Sequence, residues 1–249
     1  MINIAKLANP SFFMTLSGRL LPWLAGLTAV LFAVGLYLSF TVPGDYQQGE
    51  TVRIMFIHVP ASWLAMFCYM MITVSSIGSL IWRHPLADVS AKAAVPIGAA
   101  FTFVALVTGS LWGKPMWGTY WEWDARLTSM LVLFFLYLGL LALWHSIEEP
   151  GRAGRAAAIL AITGSVNIPI IKFSVDWWRT LHQPSSVMKM GGPSLPAVYL
   201  VPLLIMAVAF TLLLLWLHMK GMRAEILRRR VEAMMIIRVS RAAELKAAE

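Results

Sequence analysis

The stretch LTSMLVLFFLYLGLLALW, at residues 127–144, decides the fold class, because it contains no charged side chain. A helix needs about 20 apolar residues to span a membrane. The whole chain has 249 residues, of which 59% are hydrophobic and 13% are charged. Soluble domains carry about 25% charged residues. The shortage of charge therefore indicates a chain embedded in lipid.

Five further apolar runs lie on either side of this stretch, so we predict an all-α integral membrane protein with six transmembrane helices. The six predicted spans cover residues 20–40, 59–82, 93–113, 127–144, 156–173 and 193–219. The first span is longer than the apolar region of a signal peptide and no Ala-x-Ala site follows it, so we expect it to be retained. We divide the chain into a membrane domain at residues 1–219 and a basic cytoplasmic tail at residues 220–249.

The distribution of positive charge predicts the orientation. The side that holds both termini and the loops at residues 83–92 and 145–155 carries 14 Lys and Arg, and the opposite side carries 6. The positive-inside rule places the first side in the cytoplasm. Eight of the 14 lie in the tail, which therefore decides the count. We expect both termini in the cytoplasm and the loops at residues 43–58, 114–126 and 172–192 outside.

Several classes of function are disfavoured by composition. The net charge is +8, but much of the excess lies in the last thirty residues, which does not suit a nucleic-acid groove. Cys68 is the single cysteine, so the chain has neither an internal disulfide nor the CxxCH of a c-type cytochrome. It has no GxxxxGK[ST] loop and cannot use ATP by itself. Since no classical catalytic motif is found, we expect a binding component rather than an enzyme.

The most informative loop follows the third span and contains WGTYWEWD at residues 117–124. A membrane-interface belt explains about one tryptophan per helix end, but not three within seven residues. Indole rings could instead cover a flat apolar molecule. Asp124 could cap the fourth helix. If the motif is helical, Trp117, Trp121 and Asp124 share one face.

Two of the five histidines, His58 and His182, are predicted on the outer side, flanking this motif. A structural role is the better interpretation for one interfacial histidine, but two beside an aromatic loop suggest a metal. Heme iron takes axial imidazoles, and ligands from two loops suit a ring held between them. Zinc usually takes three or four protein ligands, and here it would need carboxylates.

Charged residues leave alternatives open. From charge and location, Arg53 and Arg126 could bind heme propionates, or they could anchor lipid headgroups. The tail, with Arg228, Arg229 and Arg230, predicts an amphipathic helix drawn to anionic lipid. A docking surface for a cytoplasmic subunit is the less favoured interpretation.

The spacing Trp-Gly-x-x-Trp-x-Trp-Asp in the motif matches the WGxxWxWD signature of tryptophan-rich heme-handling proteins of cytochrome c maturation. The longer stretch KPMWGTYWEWDARLTS, at residues 114–129, resembles the heme exporter protein C family. The resemblance covers the chain up to about residue 225. It implies a multi-pass protein of the bacterial inner membrane with a periplasmic tryptophan-rich loop at residues 112–126.

The resemblance also implies a cargo, ligands and partners. The cargo is non-covalent heme b, with His58 and His182 as axial ligands. The residues of the implied heme-binding loop are Trp117, Gly118, Trp121, Trp123 and Asp124. Heme would pass to a periplasmic heme chaperone, cytochrome c maturation protein E. The implied partners are an ABC ATPase and its membrane subunit (proteins A and B) and a small single-span subunit (protein D).

A permease subunit that exports heme across the membrane is the alternative function. A hydrophilic path would require polar groups within the spans. The spans hold few such groups, among them Thr102, Thr108, Asn167 and some serines. An apolar substrate that moves between helices stays compatible with this composition.

Overall fold

The computed structural model describes residues 9–182, 187 and 191–247. In this part of the chain the regular structure is helical. The α-helices are α1 (Pro10–Thr41), α2 (Met55–Trp82), α3 (Pro85–Trp117), α4 (Ala125–Ser146), α5 (Pro150–Gly164), α6 (Asn167–Trp177) and α7 (Ala197–Ala247). A 3-10 helix, Glu50–Ile54, leads into α2. Six helical segments are long and apolar enough to cross a membrane, which confirms the predicted fold class.

Helix starts follow from local chemistry. Helices α1, α3 and α5 each begin with a proline, whose missing N–H costs nothing in the first turn. The residues just before these prolines accept a hydrogen bond from the first turn: Asn9 from Ser11, His84 from Leu86 and Glu149 from Gly151. These caps satisfy donors that the helix itself leaves free.

The fifth predicted span, at residues 156–173, is not one continuous helix, and this part of the prediction is corrected. Helix α5 ends at Gly164 and α6 begins at Asn167, although together they form one membrane-spanning segment. Pro169 has no N–H to donate to the carbonyl of Ser165, four residues earlier, and its ring crowds that carbonyl. The Ser165 carbonyl instead accepts the N–H of Ile168 at 3.0 Å.

Two other helix ends differ from the sequence prediction. Helix α3 continues past residue 113 to Trp117, so the first tryptophan of the motif lies in its last turn. Residues 118–124 are irregular, so the helical alternative for the motif is wrong. Helix α7 passes residue 219 without a break and is 51 residues long.

The centre of the bundle is built on two tyrosines, Tyr69 of α2 and Tyr137 of α4. Their rings are 5.3 Å apart and nearly perpendicular, and both side chains are fully buried. The hydroxyl of Tyr137 donates to the carbonyl of Ala65 at 2.7 Å. A Cβ atom at Gly98 of α3 or Gly164 of α5 would lie 2.2 Å from one of the two hydroxyl oxygens. Glycine at these positions therefore lets four helices meet at the two rings.

Four segments lie together at what we call the tail end of the bundle, namely residues 10–19, 82–92, 144–155 and 220–230. Arg223 of α7 donates to Ser17 of α1 at 2.9 Å. Glu225 is buried and bonds to Lys92 at 3.2 Å. The first ten residues of the predicted tail thus pack on α1 and α3. The division at residue 219 and the compartment of this end stay predictions.

Candidate functional site

The residues predicted for the site meet at the opposite end of the bundle, which we call the loop end (residues 42–58, 108–126 and 171–182). A series of contacts joins them. The indole N–H of Trp112 donates to Gln48 at 3.0 Å, and Trp112 also packs on His58. Trp117 packs on His182, which lies beside Asp124. His182 thus contacts the motif, and His58 contacts the part of α3 that precedes it, while their role as iron ligands stays a prediction.

His58 lies in the first turn of α2 and packs against α3. Its Nδ1 is 3.0 Å from the hydroxyl oxygen of Thr108. Its ring meets the Trp112 ring edge to face, with centroids 5.7 Å apart and planes at 74°. A Cβ atom at Gly109 would lie 2.8 Å from Cε1 of His58. The ring is thus fixed against the backbone of α3 by the absence of a side chain at residue 109.

His182 lies beyond α6, and its ring packs on Trp117 with centroids 5.0 Å apart and planes at 60°. Its backbone N–H donates to the hydroxyl of Thr180 at 2.8 Å. Its Nδ1 is 3.5 Å from Oδ2 of Asp124, which is longer than an ordinary N–H···O hydrogen bond. Both atoms are buried, and neither has a hydrogen-bond partner among the described residues. The predicted outer loop continues beyond His182 into residues outside the described chain.

Asp124 joins the motif to α4. It accepts the N–H of Leu127 at 2.7 Å, which confirms the predicted N-cap. Burial raises the pKa of its carboxyl. The His182 ring, the Leu127 amide and the Thr180 hydroxyl oppose this effect and lower the pKa to about 2. Asp124 is therefore an anion at neutral pH, with one oxygen on the cap and the other facing the imidazole.

The backbone of the motif is held by α3. Gly118 ends that helix with φ of 77°, a left-handed conformation that glycine adopts without a steric penalty. Ser110 donates to the carbonyl of Tyr120 at 2.7 Å, and Lys114 donates to that of Gly118 at 2.9 Å. A Cβ atom at Gly113 would lie 2.9 Å from the Trp117 ring. These contacts fold residues 118–120 back onto the helix that precedes them.

The other tryptophans form an aromatic surface at the loop end. Trp121 and Trp123 pack edge to face with centroids 5.5 Å apart. Trp123 is 73% exposed, whereas Nε1 of Trp121 is buried and has no partner within the described chain. Trp177 and Trp178 also contact each other, and both are about half exposed. The loop end thus keeps apolar ring area free after the bundle has packed.

The structure places both predicted arginines in contact with protein oxygens. Arg53 pairs with Glu50 at 2.6 Å and donates to the carbonyl of Val42 at 3.2 Å. Its Nε is buried and has no partner in the part of the chain that the structure describes. Arg126 donates to Ser174 at 3.3 Å and to two carbonyls of α6. Arg126 thus ties α4 to α6, and contact of either residue with a propionate stays a prediction.

The positions of the two histidines and the number of nearby ligands indicate which kind of metal the loop end could bind. The two imidazoles each pack on an indole ring of α3. Their indole partners, Trp112 and Trp117, are five residues apart on α3, which is about 7.5 Å along the helix axis. Across the described residues, no group of three or more His, Cys, Asp or Glu is arranged to hold a metal ion. Two imidazoles at one helix end suit an iron ion whose other ligands come with it, as in a porphyrin.

Sequence reasoning missed Gly109 and Gly113, which admit the His58 and Trp117 rings to the surface of α3. A signal was present, because their four-residue spacing is the small-xxx-small pattern of close approach in membrane helices. Thr108 was noted only as a polar residue within a span.

Comparison with known proteins identifies the family of the chain. The family model for heme exporter protein C matches residues 3–237. The chain belongs to the heme exporter protein C family. It is 63% identical to heme exporter protein C of Bradyrhizobium diazoefficiens over 242 residues, which cover 97% of this chain and 92% of that protein.

More distant members of the family also match over most of their length. Heme exporter protein C of Escherichia coli K12 is 50% identical over 190 residues, covering 76% of this chain and 78% of the relative. A putative cytochrome c biosynthesis ccmC-like mitochondrial protein of Marchantia polymorpha is 47% identical over 205 residues, covering 82% and 87%. The protein is therefore a multi-pass membrane protein of a heme exporter family that handles heme for cytochrome c maturation.

Proposed function

We propose that this protein binds non-covalent heme b between His58 and His182, at the periplasmic face of the bacterial inner membrane, and passes it to a periplasmic heme chaperone. One observation carries the proposal: imidazoles from two separate segments converge on tryptophans of the same helix end. Bound iron takes one imidazole nitrogen on each side of the porphyrin plane. Heme is the cargo of the protein here, not a resident catalytic group.

The surroundings of His182 support heme binding, because two buried atoms there lack hydrogen-bond partners among the described residues. Nδ1 of His182 and Oδ2 of Asp124 are buried, unpartnered among the described residues and 3.5 Å apart. Histidines that ligate metals usually donate their other ring N–H to a carboxylate or carbonyl oxygen. A shift of about 0.5 Å would bring this pair to hydrogen-bond distance. Nε2 of His182 would then carry the lone pair for iron.

The aromatic surface supports the porphyrin plane. Trp121 lies against Trp123, whose ring is mostly exposed and can bury apolar area against a flat ligand. Arg53, whose Nε has no hydrogen-bond partner in the described chain, keeps a donor for an anionic propionate.

The protein acts without catalytic turnover, as a membrane subunit of a heme exporter complex. Its sequence has no phosphate-binding loop, so energy from ATP must come from another subunit. We propose an ABC ATPase, its membrane subunit and a small single-span subunit as its partners. The name of the family, heme exporter protein, supports membership of such a complex.

A permease subunit is the second candidate, favoured by that same name. Inside the bundle, however, the hydroxyls of Thr73, Thr102 and Ser129 bond to carbonyls of their own helices. They offer no polar path across the bilayer. Heme loading in membranes that lack the ATPase separates the two functions, since loading that stops without the ATPase favours transport.

The proposal is tested by the visible spectrum of the purified protein loaded with heme. We expect a bis-imidazole spectrum that is lost in His58→Ala and in His182→Ala. His145→Ala is the matched control, because that exposed ring lies at the tail end and bonds to the carbonyl of Leu141 at 2.7 Å. A spectrum that both site variants leave unchanged would rule out the ligand assignment.

A further inference from the structure

Thr108 lies on α3 beside His58, outside the WGTYWEWD motif. We infer that Thr108 is a positioning residue: its hydroxyl oxygen accepts the Nδ1–H of His58 and so directs the Nε2 lone pair to the heme iron. The inference rests on the proposed function for its link to heme. The choice of tautomer can be tested without heme.

The direction of the hydrogen bond follows from the number of protons available. A threonine hydroxyl has one proton to donate. Thr108 gives it to the carbonyl of Val104 at 2.6 Å. The 3.0 Å contact between its oxygen and Nδ1 of His58 is therefore made by the ring proton.

The other ring nitrogen is left unengaged. Ser62 Oγ is 3.5 Å from Nε2 of His58, but it donates its proton to the backbone carbonyl of His58 at 2.8 Å. In a neutral imidazole with a proton on Nδ1, the lone pair lies on Nε2. The ring therefore offers a free lone pair at the nitrogen that points away from Thr108.

The packing around the ring fixes which of its nitrogens faces α3. Gly109 lies against Cε1 of His58, and the Trp112 ring lies against its side. With the proton on Nε2, the lone pair would be on Nδ1 and would face α3, where no porphyrin fits. Thr108, Gly109 and Trp112 thus act on one ring from a single helix.

The predicted consequence concerns affinity for heme. Loss of an outer-sphere partner of a metal-binding histidine typically weakens metal binding by 10- to 100-fold. Thr108→Val keeps the shape of the side chain and removes the acceptor, so we expect the dissociation constant for hemin to rise about tenfold or more. Thr108→Ser keeps the hydroxyl and should bind hemin like the unaltered protein.

The matched control is Thr102→Val. Thr102 is fully buried on the same helix, donates to the carbonyl of Gly98 at 2.7 Å and makes no hydrogen bond to His58. Both valine variants lose one hydroxyl from α3, so a loss of hemin affinity confined to Thr108→Val reports on the histidine. Equal losses in the two variants would overturn the positioning role.

The heme-free protein gives the second measurement. The chain has five histidines, and nitrogen-15 NMR of labelled rings distinguishes a protonated from an unprotonated nitrogen. Comparison with His58→Ala assigns the His58 signals. We expect a proton on Nδ1 in the unaltered protein and in Thr108→Ser, and altered ring signals in Thr108→Val. A proton on Nε2 of His58 in the unaltered protein would overturn the inference.

The two measurements separate this inference from the proposed function. If His58→Ala abolishes the bis-imidazole spectrum while Thr108→Val changes neither hemin affinity nor the ring signals, the role of Thr108 fails and the ligand assignment stands. If His58→Ala leaves the heme spectrum unchanged, the ligand assignment itself fails.

Discussion

Gly109→Ala should displace the His58 ring while leaving the bundle folded. The new Cβ atom would lie 2.8 Å from Cε1 of His58, so the ring must move by about 0.6 Å to restore ordinary contact. That movement lengthens the 3.0 Å bond from Nδ1 to Thr108. We expect about a tenfold loss of hemin affinity, the size seen when an outer-sphere contact is disturbed.

Two opposing effects bound the change in the stability of this variant. Alanine in place of a helical glycine stabilises by about 0.5–1 kcal/mol, whereas overpacking costs about 1–3 kcal/mol. The net destabilisation is thus about 0–2.5 kcal/mol. Hemin titration and thermal unfolding in detergent measure the two quantities. Gly26→Ala is the control, because nothing lies within 4 Å of its new Cβ atom. Unchanged hemin affinity in Gly109→Ala would refute the proposed contact.

Three further predictions concern the loop end. Gly118→Ala should lower the unfolding free energy by about 1 kcal/mol because φ is 77°, and Gly118→Asn by less; equal losses would contradict this. Asp124→Ala should lose the helix cap, worth about 1 kcal/mol, together with the carboxylate beside His182. Asp124→Asn should keep the cap and lose only hemin affinity, which thermal unfolding and hemin titration distinguish. Acid should release heme between pH 8 and about pH 5, since a ligand imidazole must be unprotonated. Asp124 cannot cause this release: its lowered pKa stabilises the folded state above its ordinary pKa of 3.8, and this effect is lost only as the pH falls towards 2. Heme retention that is constant over that range, followed by absorbance, would contradict the ligand assignment.

The fold was largely predictable because a membrane span depends on composition more than on detailed packing. Apolar length alone set the number of spans, and Asp124 was readable as a helix cap. The break at Ser165 was not predicted, although Pro169 marked it, because a hydropathy pattern does not register a missing N–H. The extension of α3 to Trp117 was missed because tryptophan occurs both in helices and in interfacial loops.

The site was predictable at the level of its large side chains. His58 and His182 stood out because two imidazoles flanked the same aromatic loop. The partners that orient them did not stand out, since Thr108 and Gly109 look like ordinary residues of an apolar helix. Their role depends on which helix packs against α3, and the sequence alone does not show that packing. The arginines differ from these partners, because their charge made them stand out in the sequence as candidates for binding propionates. In the structure, Arg126 instead connects α4 to α6.

Helix α3 contains both Thr108 and Trp117, with Pro115 in its last turn, so one element carries the surfaces against which both imidazoles rest. Each residue of an α-helix adds about 1.5 Å along the axis, so the number of residues between the two surfaces sets their axial separation. The surfaces on which the two rings rest are thus held relative to each other before any cargo arrives, which lowers the entropic cost of capture. One residue inserted between Trp112 and Gly113 would turn Trp117 by about 100° relative to Trp112, so the two indole rings would no longer support both imidazoles.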